Sequence, residues 1–183
     1  SIKAQESRGY EQWAKIHNLK LAAKTMNFLT EHKIEQYADL VSRIEEINAE
    51  NEETADALKS VEKRLEDMAV LMKHVTTYQK TKPVYEAYRR AKDKDAYRAK
   101  QESSLILHEA AVKTLKAAGV TKLPNLAAMQ EEYGKLQAQK EALYADYGKL
   151  KKQVKEYDVI KQNIDNILRQ GKEPERKKGK ERE

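Results

Sequence analysis

The chain has 183 residues, of which 36% are charged and 39% are hydrophobic, and its net charge at pH 7 is +6. One Trp, one Phe and three Pro suit long exposed helices better than a thick, multilayered core. The absence of cysteine excludes disulfides and thiolate metal sites. The sequence also has no apolar run long enough to span a membrane, and residues 1–10 lack the apolar segment of a signal peptide.

The first predicted helix covers residues 9–32 and has a broad apolar face. The second covers residues 35–80 and carries an apolar stripe at steps of three and four, which is typical of a coiled-coil seam. The stripe consists of Tyr37, Val41, Ile44, Leu58, Val61, Leu65, Met68, Met72 and Val75. Asn48 and Asn51 occupy the interval between its two parts, where they either fix the register of the seam or loosen the helix around residues 48–54.

Pro83 predicts a break after the second helix, because proline disfavours helical geometry in the residue before it. A short helix is expected over residues 84–91, a turn at residues 93–95, and another helix over residues 96–118. Gly119 is expected to cap that last piece at its C-terminal end. Together these elements form a small helical tip over residues 83–119.

The last long helix is predicted over residues 124–170 and carries the clearer of the two seams. Its apolar positions are Leu126, Met129, Tyr133, Leu136, Leu143, Tyr147, Leu150, Val154 and Tyr157, with Lys140 as the polar break. Gly134 and Gly148 lie two heptads apart on one face, where they either allow close approach of another helix or simply weaken this one. Residues 172–183 form a charged tail without apolar residues, which we expect to be disordered.

These patterns predict an all-α fold: a long antiparallel coiled-coil hairpin with a small helical tip subdomain and an N-terminal helix, within a domain of residues 1–171. Val75 should lie near Met129, and Ile44 near Ile160. The first helix, with Trp13, should cap the open end of the hairpin. The sequence leaves open whether the seam closes within one chain or between two.

No constellation of residues predicts catalysis. The four histidines are scattered without metal-ligand spacing, and there is no glycine-rich phosphate loop, nucleophile elbow or Ser/His/Asp arrangement. We therefore expect no catalytic residue, no metal site and no cofactor, and neither hydrolase nor nuclease activity.

The charge is distributed unevenly, and this points to a candidate binding segment. Residues 31–70 have a charge balance of −7, whereas residues 80–100 have a balance of +5. Cations can neutralise phosphates and tyrosines can stack on bases, so this segment is the candidate for nucleic-acid binding. Alternatively, its tyrosines pack a small helical knob and its cations keep that knob soluble. The candidate residues are Lys80, Lys82, Arg89, Arg90, Lys92, Lys94, Arg98, Lys100, Tyr85 and Tyr88.

Four segments, in this order and at similar intervals, support a resemblance to a known family. They are Gly9-Tyr10-Glu11-Gln12-Trp13-Ala14-Lys15, Lys80-Thr81-Lys82-Pro83-Val84-Tyr85-Glu86-Ala87-Tyr88-Arg89-Arg90-Ala91, Leu107-His108-Glu109-Ala110-Ala111 and Lys122-Leu123-Pro124. Over about residues 2–168 the chain resembles the helical C-terminal region of relaxases from conjugative and mobilizable elements of Gram-positive bacteria. The strings identify a region of those proteins and not a reaction.

The resemblance implies a function and a setting. Relaxases nick one strand at a transfer origin with a tyrosine nucleophile and a histidine-held metal, and by the resemblance that nuclease lies upstream of this region. The chain would be a non-catalytic module that mediates protein–protein contacts or auxiliary DNA binding in the bacterial cytoplasm. The resemblance implies partners among the transfer-complex or coupling proteins. Any DNA bound by the basic segment would be held weakly and without sequence preference, because contacts to phosphate carry no base information. The alternative is a free-standing structural coiled-coil scaffold without nucleic acid.

Overall fold

The computed structural model describes the backbone of residues 2–180 and the side chains of residues 7–170. Over this range the fold is all-α, as predicted. The helices are α1 (Ile2–Glu31), α2 (Tyr37–Arg90), α3 (Lys94–Lys100), α4 (Glu102–Ala117) and α5 (Leu126–Lys180). None of these helices combines the length and apolar character needed to cross a membrane over the part of the chain described.

The chain divides into two compact units, to which α2 and α5 both contribute. Unit 1 comprises Ser1–Thr54 and Asp146–Glu183, and unit 2 comprises Ala55–Ala145. Unit 1 therefore combines α1 with the first part of α2 and the last part of α5. Unit 2 combines the remainder of α2 and α5 with the two short helices α3 and α4.

The core of unit 1 joins all three of its helical segments. Its buried cluster contains Phe28, Leu40, Ile47, Tyr157 and Ile160. Phe28 and Tyr157 meet edge to face, with ring centroids 5.0 Å apart, a favourable arrangement for aromatic side chains. Ile44 packs against the same cluster, to which Ile160, its predicted neighbour, also belongs.

The core of unit 2 contains Met68, Val75, Leu115 and Met129, so Val75 and Met129 belong to one cluster, as predicted. Polar contacts show that α2 and α5 run antiparallel here. Arg64 pairs with Glu132 at 2.6 Å, whereas Glu62 accepts a hydrogen bond from the hydroxyl of Tyr144 at 2.7 Å. Lys140, the polar break in the seam, lies 3.9 Å from Glu62.

The seam of α2 differs from the prediction in its first part. Leu40 and Ile47 are almost completely buried, whereas Tyr37 is 44% exposed and Asn48 is also exposed. The stripe therefore continues without interruption through residues 40, 44, 47, 51, 54 and 58. The prediction that Asn48 lies in the seam was wrong, because the register was read from Tyr37 and Val41. Helix α2 is continuous over residues 48–54, so the predicted alternative of local loosening is not observed.

The predicted break at Pro83 was also wrong, since Pro83 lies inside α2, which continues to Arg90. An internal proline removes one backbone hydrogen bond and costs about 3 kcal/mol. The residues around it offset this cost by packing: Thr81 is buried against His108, and the ring of Tyr85 stacks on the same histidine. The predicted short helix over residues 84–91 is therefore the end of α2.

The tip consists of two short helices where the sequence predicted one over residues 96–118. Asp93 caps α3 by accepting a hydrogen bond from the Ala96 N–H at 3.1 Å, and Gln101 separates α3 from α4. Gly119 has a φ of 75° and follows α4, as predicted for a C-terminal cap. Asn125 then caps α5 through its side chain, which accepts from the Ala127 N–H at 2.8 Å.

The ends of the chain also depart from the prediction. Helix α1 begins at Ile2, and the helical backbone of α5 continues to Lys180 where a disordered tail was expected from residue 172. Disorder was predicted because residues 172–180 contain no apolar residue. Their Glu, Lys and Arg residues nevertheless have good helix propensity. The side chains of residues 171–183, and the backbone of residues 181–183, lie outside the described residues.

The first helix packs against α2 and α5 within unit 1, but Trp13 does not take part in this packing as predicted. It is 58% exposed and stacks on His17 of its own helix, with ring centroids 5.0 Å apart. The part of α1 that is buried lies later in the helix, at Thr25 and Phe28. Thr25 also accepts a hydrogen bond from the side-chain amide of Asn163 on α5 at 3.3 Å, which ties the two helices together within unit 1.

Candidate nucleic-acid interface

The eight candidate cations belong to one region of unit 2. Lys80, Lys82, Arg89 and Arg90 lie in the last turns of α2, Lys92 follows in the connection, and Lys94, Arg98 and Lys100 belong to α3. Seven of them are exposed, and Arg98 is half-buried. Along α2, the cations alternate with the residues that face inwards, Thr81, Tyr85 and Tyr88. The helix thus separates a packed face from a charged one.

Two of the eight cations have acidic partners. Lys82 lies 4.0 Å from Glu86, one helical turn away. Arg98 pairs with Glu109 of α4, and its guanidinium lies 5.3 Å from the centre of the Tyr88 ring. The hydrogen bond to Tyr88 and the ion pair with Glu109 both raise the pKa of Arg98. Arg98 therefore links α3 to α4 and α2, which is a structural role.

The other six cations form no ion pair with the described residues: Lys80, Arg89, Arg90, Lys92, Lys94 and Lys100. Four of them lie between residues 89 and 94. Asp93 is the single acid in this interval, and its carboxylate is occupied by the backbone of α3. We call Arg89, Arg90, Lys92 and Lys94 the basic cluster. Exposed cations without acidic partners are suited to contact phosphate groups.

The two candidate tyrosines are engaged inside the tip. Tyr85 stacks on His108 with ring centroids 4.5 Å apart, and Tyr88 lies 6.4 Å from Tyr97 and beneath Arg98. Both are half-buried. This geometry matches the alternative in which the tyrosines pack a helical knob. The chemistry of this surface therefore depends on its cations more than on aromatic stacking.

His108 is the residue whose role the sequence did not predict. It is 3% exposed, and its Nδ1 lies 2.9 Å from the hydroxyl oxygen of Thr81. That hydroxyl also lies 2.7 Å from the carbonyl of Thr77, to which a threonine inside a helix commonly donates, so we assign the imidazole proton to Nδ1 of His108. Burial lowers the pKa of His108, against a smaller opposing effect of Glu109. Burial therefore favours the neutral imidazole, and with the proton assigned to Nδ1 the lone pair lies on Nε2.

A cleft of about 590 Å³ lies beside His108. Tyr78 and Tyr85 line it on the side of α2, and Lys113 and Lys116 lie at its rim on α4. The rest of the lining is mainly apolar, from Val112, Leu115, Val120 and Leu123, together with the polar residues Glu109 and Thr121. In the sequence, the only sign of this site was the position of His108 among apolar residues, since no local pattern relates it to residues of α2.

Comparison with known proteins gives no further identification: no family model, curated protein or solved structure matches this chain. The chain also offers no cluster of three or more His, Asp or Glu side chains suited to holding a metal ion, within the residues that the structure describes. Surface charge and the cleft beside His108 are therefore the two features of the molecule that indicate a function.

Proposed function

We propose that this chain is a non-catalytic helical module of a conjugative-transfer relaxase, and that it provides auxiliary DNA binding during DNA mobilization in the bacterial cytoplasm. The observation that supports this best is the basic cluster, Arg89, Arg90, Lys92 and Lys94. Its four cations are exposed and have no acidic partners among the described residues. The family context comes from the resemblance of the four sequence segments.

In this proposal the cations bind phosphates and release the counterions condensed on DNA. Contacts to phosphates carry no base information, so the binding is weak and independent of sequence. The acidic stretch of residues 31–70 repels phosphate, which directs DNA towards the basic cluster. The helices act as a rigid support for this surface, and nicking takes place in another part of the relaxase.

The test compares the protein with the variant Arg89→Gln/Arg90→Gln/Lys92→Gln/Lys94→Gln in fluorescence anisotropy with single- and double-stranded oligonucleotides. We expect the parent to bind at low salt, with an affinity that falls steeply as salt rises. The variant should lose binding and keep its helical circular dichroism. The control Lys59→Gln/Lys63→Gln/Lys73→Gln/Lys135→Gln makes the same change in net charge at exposed positions elsewhere in unit 2, and should retain most of the affinity.

Equal affinity in the variant and the parent would overturn the role of the basic cluster, as would no binding by the parent at low salt. The non-catalytic character has a separate test. Metal-dependent nicking of supercoiled origin DNA by the purified chain, abolished by a substitution within it, would contradict the proposal.

A second candidate function is protein–protein docking, with a partner in the transfer complex or with the coupling protein. It is favoured by residues 10–19 of α1, where four large apolar side chains are exposed: Tyr10, Trp13, Ile16 and Leu19. Trp13→Ala and Leu19→Ala should then reduce recruitment of the chain to the transfer complex while leaving DNA affinity unchanged. A free-standing coiled-coil scaffold would show neither DNA binding nor this dependence.

A further inference from the structure

The cleft beside His108 combines the free ring nitrogen of a buried histidine, a largely apolar lining and two cations without ion pairs, all among the described residues of unit 2. We propose that it binds one unstacked nucleotide of a single DNA strand, whose base donates an N–H to Nε2 of His108 and whose phosphate is held by Lys113 and Lys116. This inference rests on the proposed function, because it specifies the form of DNA that the module recognises.

The acceptor is Nε2 of His108. Thr81 occupies Nδ1, and the rings of Tyr85 and Tyr78 lie 4.5 and 5.0 Å from the imidazole, with interplanar angles of 17° and 30°. No side chain or backbone group of the described residues forms a hydrogen bond with Nε2. The histidine lines the cleft, so its open edge is available to a ligand there. With the proton assigned to Nδ1, Nε2 carries the lone pair, and it therefore selects a ligand with an N–H donor.

The cations at the rim select an anion. Lys113 and Lys116 are exposed, lie one turn apart on α4, and have no ion pair with the described residues. Glu109 is the acid on the same rim, but Arg98 neutralises it from α3. The mouth of the cleft is therefore positively charged, and a phosphate can contact both ammonium groups.

The apolar lining suits the flat face of a base. Every DNA base carries an N–H on the edge used for pairing, and in a duplex that edge is occupied by the partner strand. The cleft therefore distinguishes single-stranded from double-stranded DNA. An acidic peptide fits less well, because each backbone N–H that it offers brings a carbonyl oxygen close to the apolar lining, where it loses its hydrogen bonds to water.

The proposal can be tested by NMR on the protein labelled with ¹⁵N-histidine. The His108 signal is assigned through its contacts with the Tyr85 ring. We expect a single-stranded pentanucleotide to shift the Nε2 resonance of His108, and a blunt duplex of the same sequence to leave it unchanged. The variant Lys113→Gln/Lys116→Gln should bind the pentanucleotide about tenfold more weakly, the scale of losing one charge-assisted contact. The control Lys73→Gln/Lys135→Gln, with the same charge change away from the cleft, should bind like the parent.

The outcomes separate this inference from the proposed function. A pentanucleotide that binds through the basic cluster without shifting the His108 resonance would overturn the cleft and leave the proposed function intact. A second outcome is that the pentanucleotide also shifts the His108 resonance in the variant with Gln at positions 89, 90, 92 and 94. That result would support the cleft, even though it would show that DNA binding does not need the basic cluster. An equal shift with an oligoglutamate peptide, or with the duplex, would overturn the assignment of a single-stranded nucleotide.

Discussion

Tyr37, in the first turn of α2, donates its phenolic O–H to Oδ1 of Asp165 on α5, at a distance of 2.8 Å. Lys161 binds the second carboxylate oxygen at 3.0 Å. The tyrosine hydrogen bond is the largest of the effects that lower the pKa of Asp165, and the hydrogen bond with Lys161 follows. This polar link joins the two long helices within unit 1. It lies at Tyr37, which the sequence predicted to be an apolar position of the seam.

We therefore expect Tyr37→Phe to raise the pKa of Asp165, which can be measured from its carboxyl ¹³C shift as a function of pH. A carboxyl group with a lowered pKa stabilises the fold above its unfolded pKa, and this contribution disappears as the pH falls through the folded pKa. In the variant, the free energy of unfolding should therefore decrease less than in the parent as the pH falls through the pKa of Asp165. Tyr144→Phe, which removes a tyrosine–glutamate bond in unit 2, is the matched control and should leave Asp165 unaffected. An unchanged Asp165 pKa in Tyr37→Phe would contradict this account.

Asn51 lies in the seam of α2, and its side-chain oxygen is buried without a hydrogen-bond partner. A buried polar atom left unsatisfied costs about 1–3 kcal/mol. Asn51→Leu should therefore increase the free energy of unfolding by about that amount in urea denaturation. Asn48→Leu adds the same side chain at an exposed position and should change stability little. A destabilised Asn51→Leu would show that this oxygen has a partner.

Gly134 and Gly148 lie inside α5, and a Cβ atom at either position would meet no other atom within 4 Å. This favours the simple loss of helix propensity over close approach of another helix, at least among the described residues. Gly134→Ala and Gly148→Ala should each stabilise the protein by about 1 kcal/mol in chemical denaturation. The contrasting variant is Gly119→Ala, which should destabilise because Gly119 has a φ of 75°. Loss of stability in the helical variants would indicate a partner packed on that face.

Burial lowers the pKa of His108, and this predicts a dependence of stability on pH. The unfolded chain takes up a proton near pH 6.5, whereas the folded chain resists protonation until a lower pH. The free energy of unfolding should therefore fall as the pH decreases from about 6.5 to the folded pKa of His108. His108→Gln should remove this part of the pH dependence, as measured by urea denaturation at several pH values. An identical slope in the variant would assign the effect to another group.

Sequence periodicity predicted the all-α fold and the partners Val75 and Met129, because heptad spacing places apolar residues on one helix face over long distances. Periodicity did not identify Leu40 and Ile47 as buried seam positions. A stripe that starts at Tyr37 and Val41 has equally regular spacing, and that register was predicted instead. Local rules also failed at Pro83, since the break they predict is overridden by tertiary packing around His108. The cleft could not be predicted at all: Thr81 and His108 are 27 positions apart, and only the packing of α4 on α2 brings them together.

The position of Pro83 inside α2 has a consequence for the dynamics of the tip. Proline has no N–H, so the carbonyl of Gln79 lacks its usual donor four residues later. Helices bend and open preferentially at such points. Amide hydrogen exchange should therefore be faster in the turn that contains Pro83 than in the turns of α2 around Met68. Transient opening there would release Thr81 from His108, and a ligand bound in the cleft should slow the exchange by holding this turn closed.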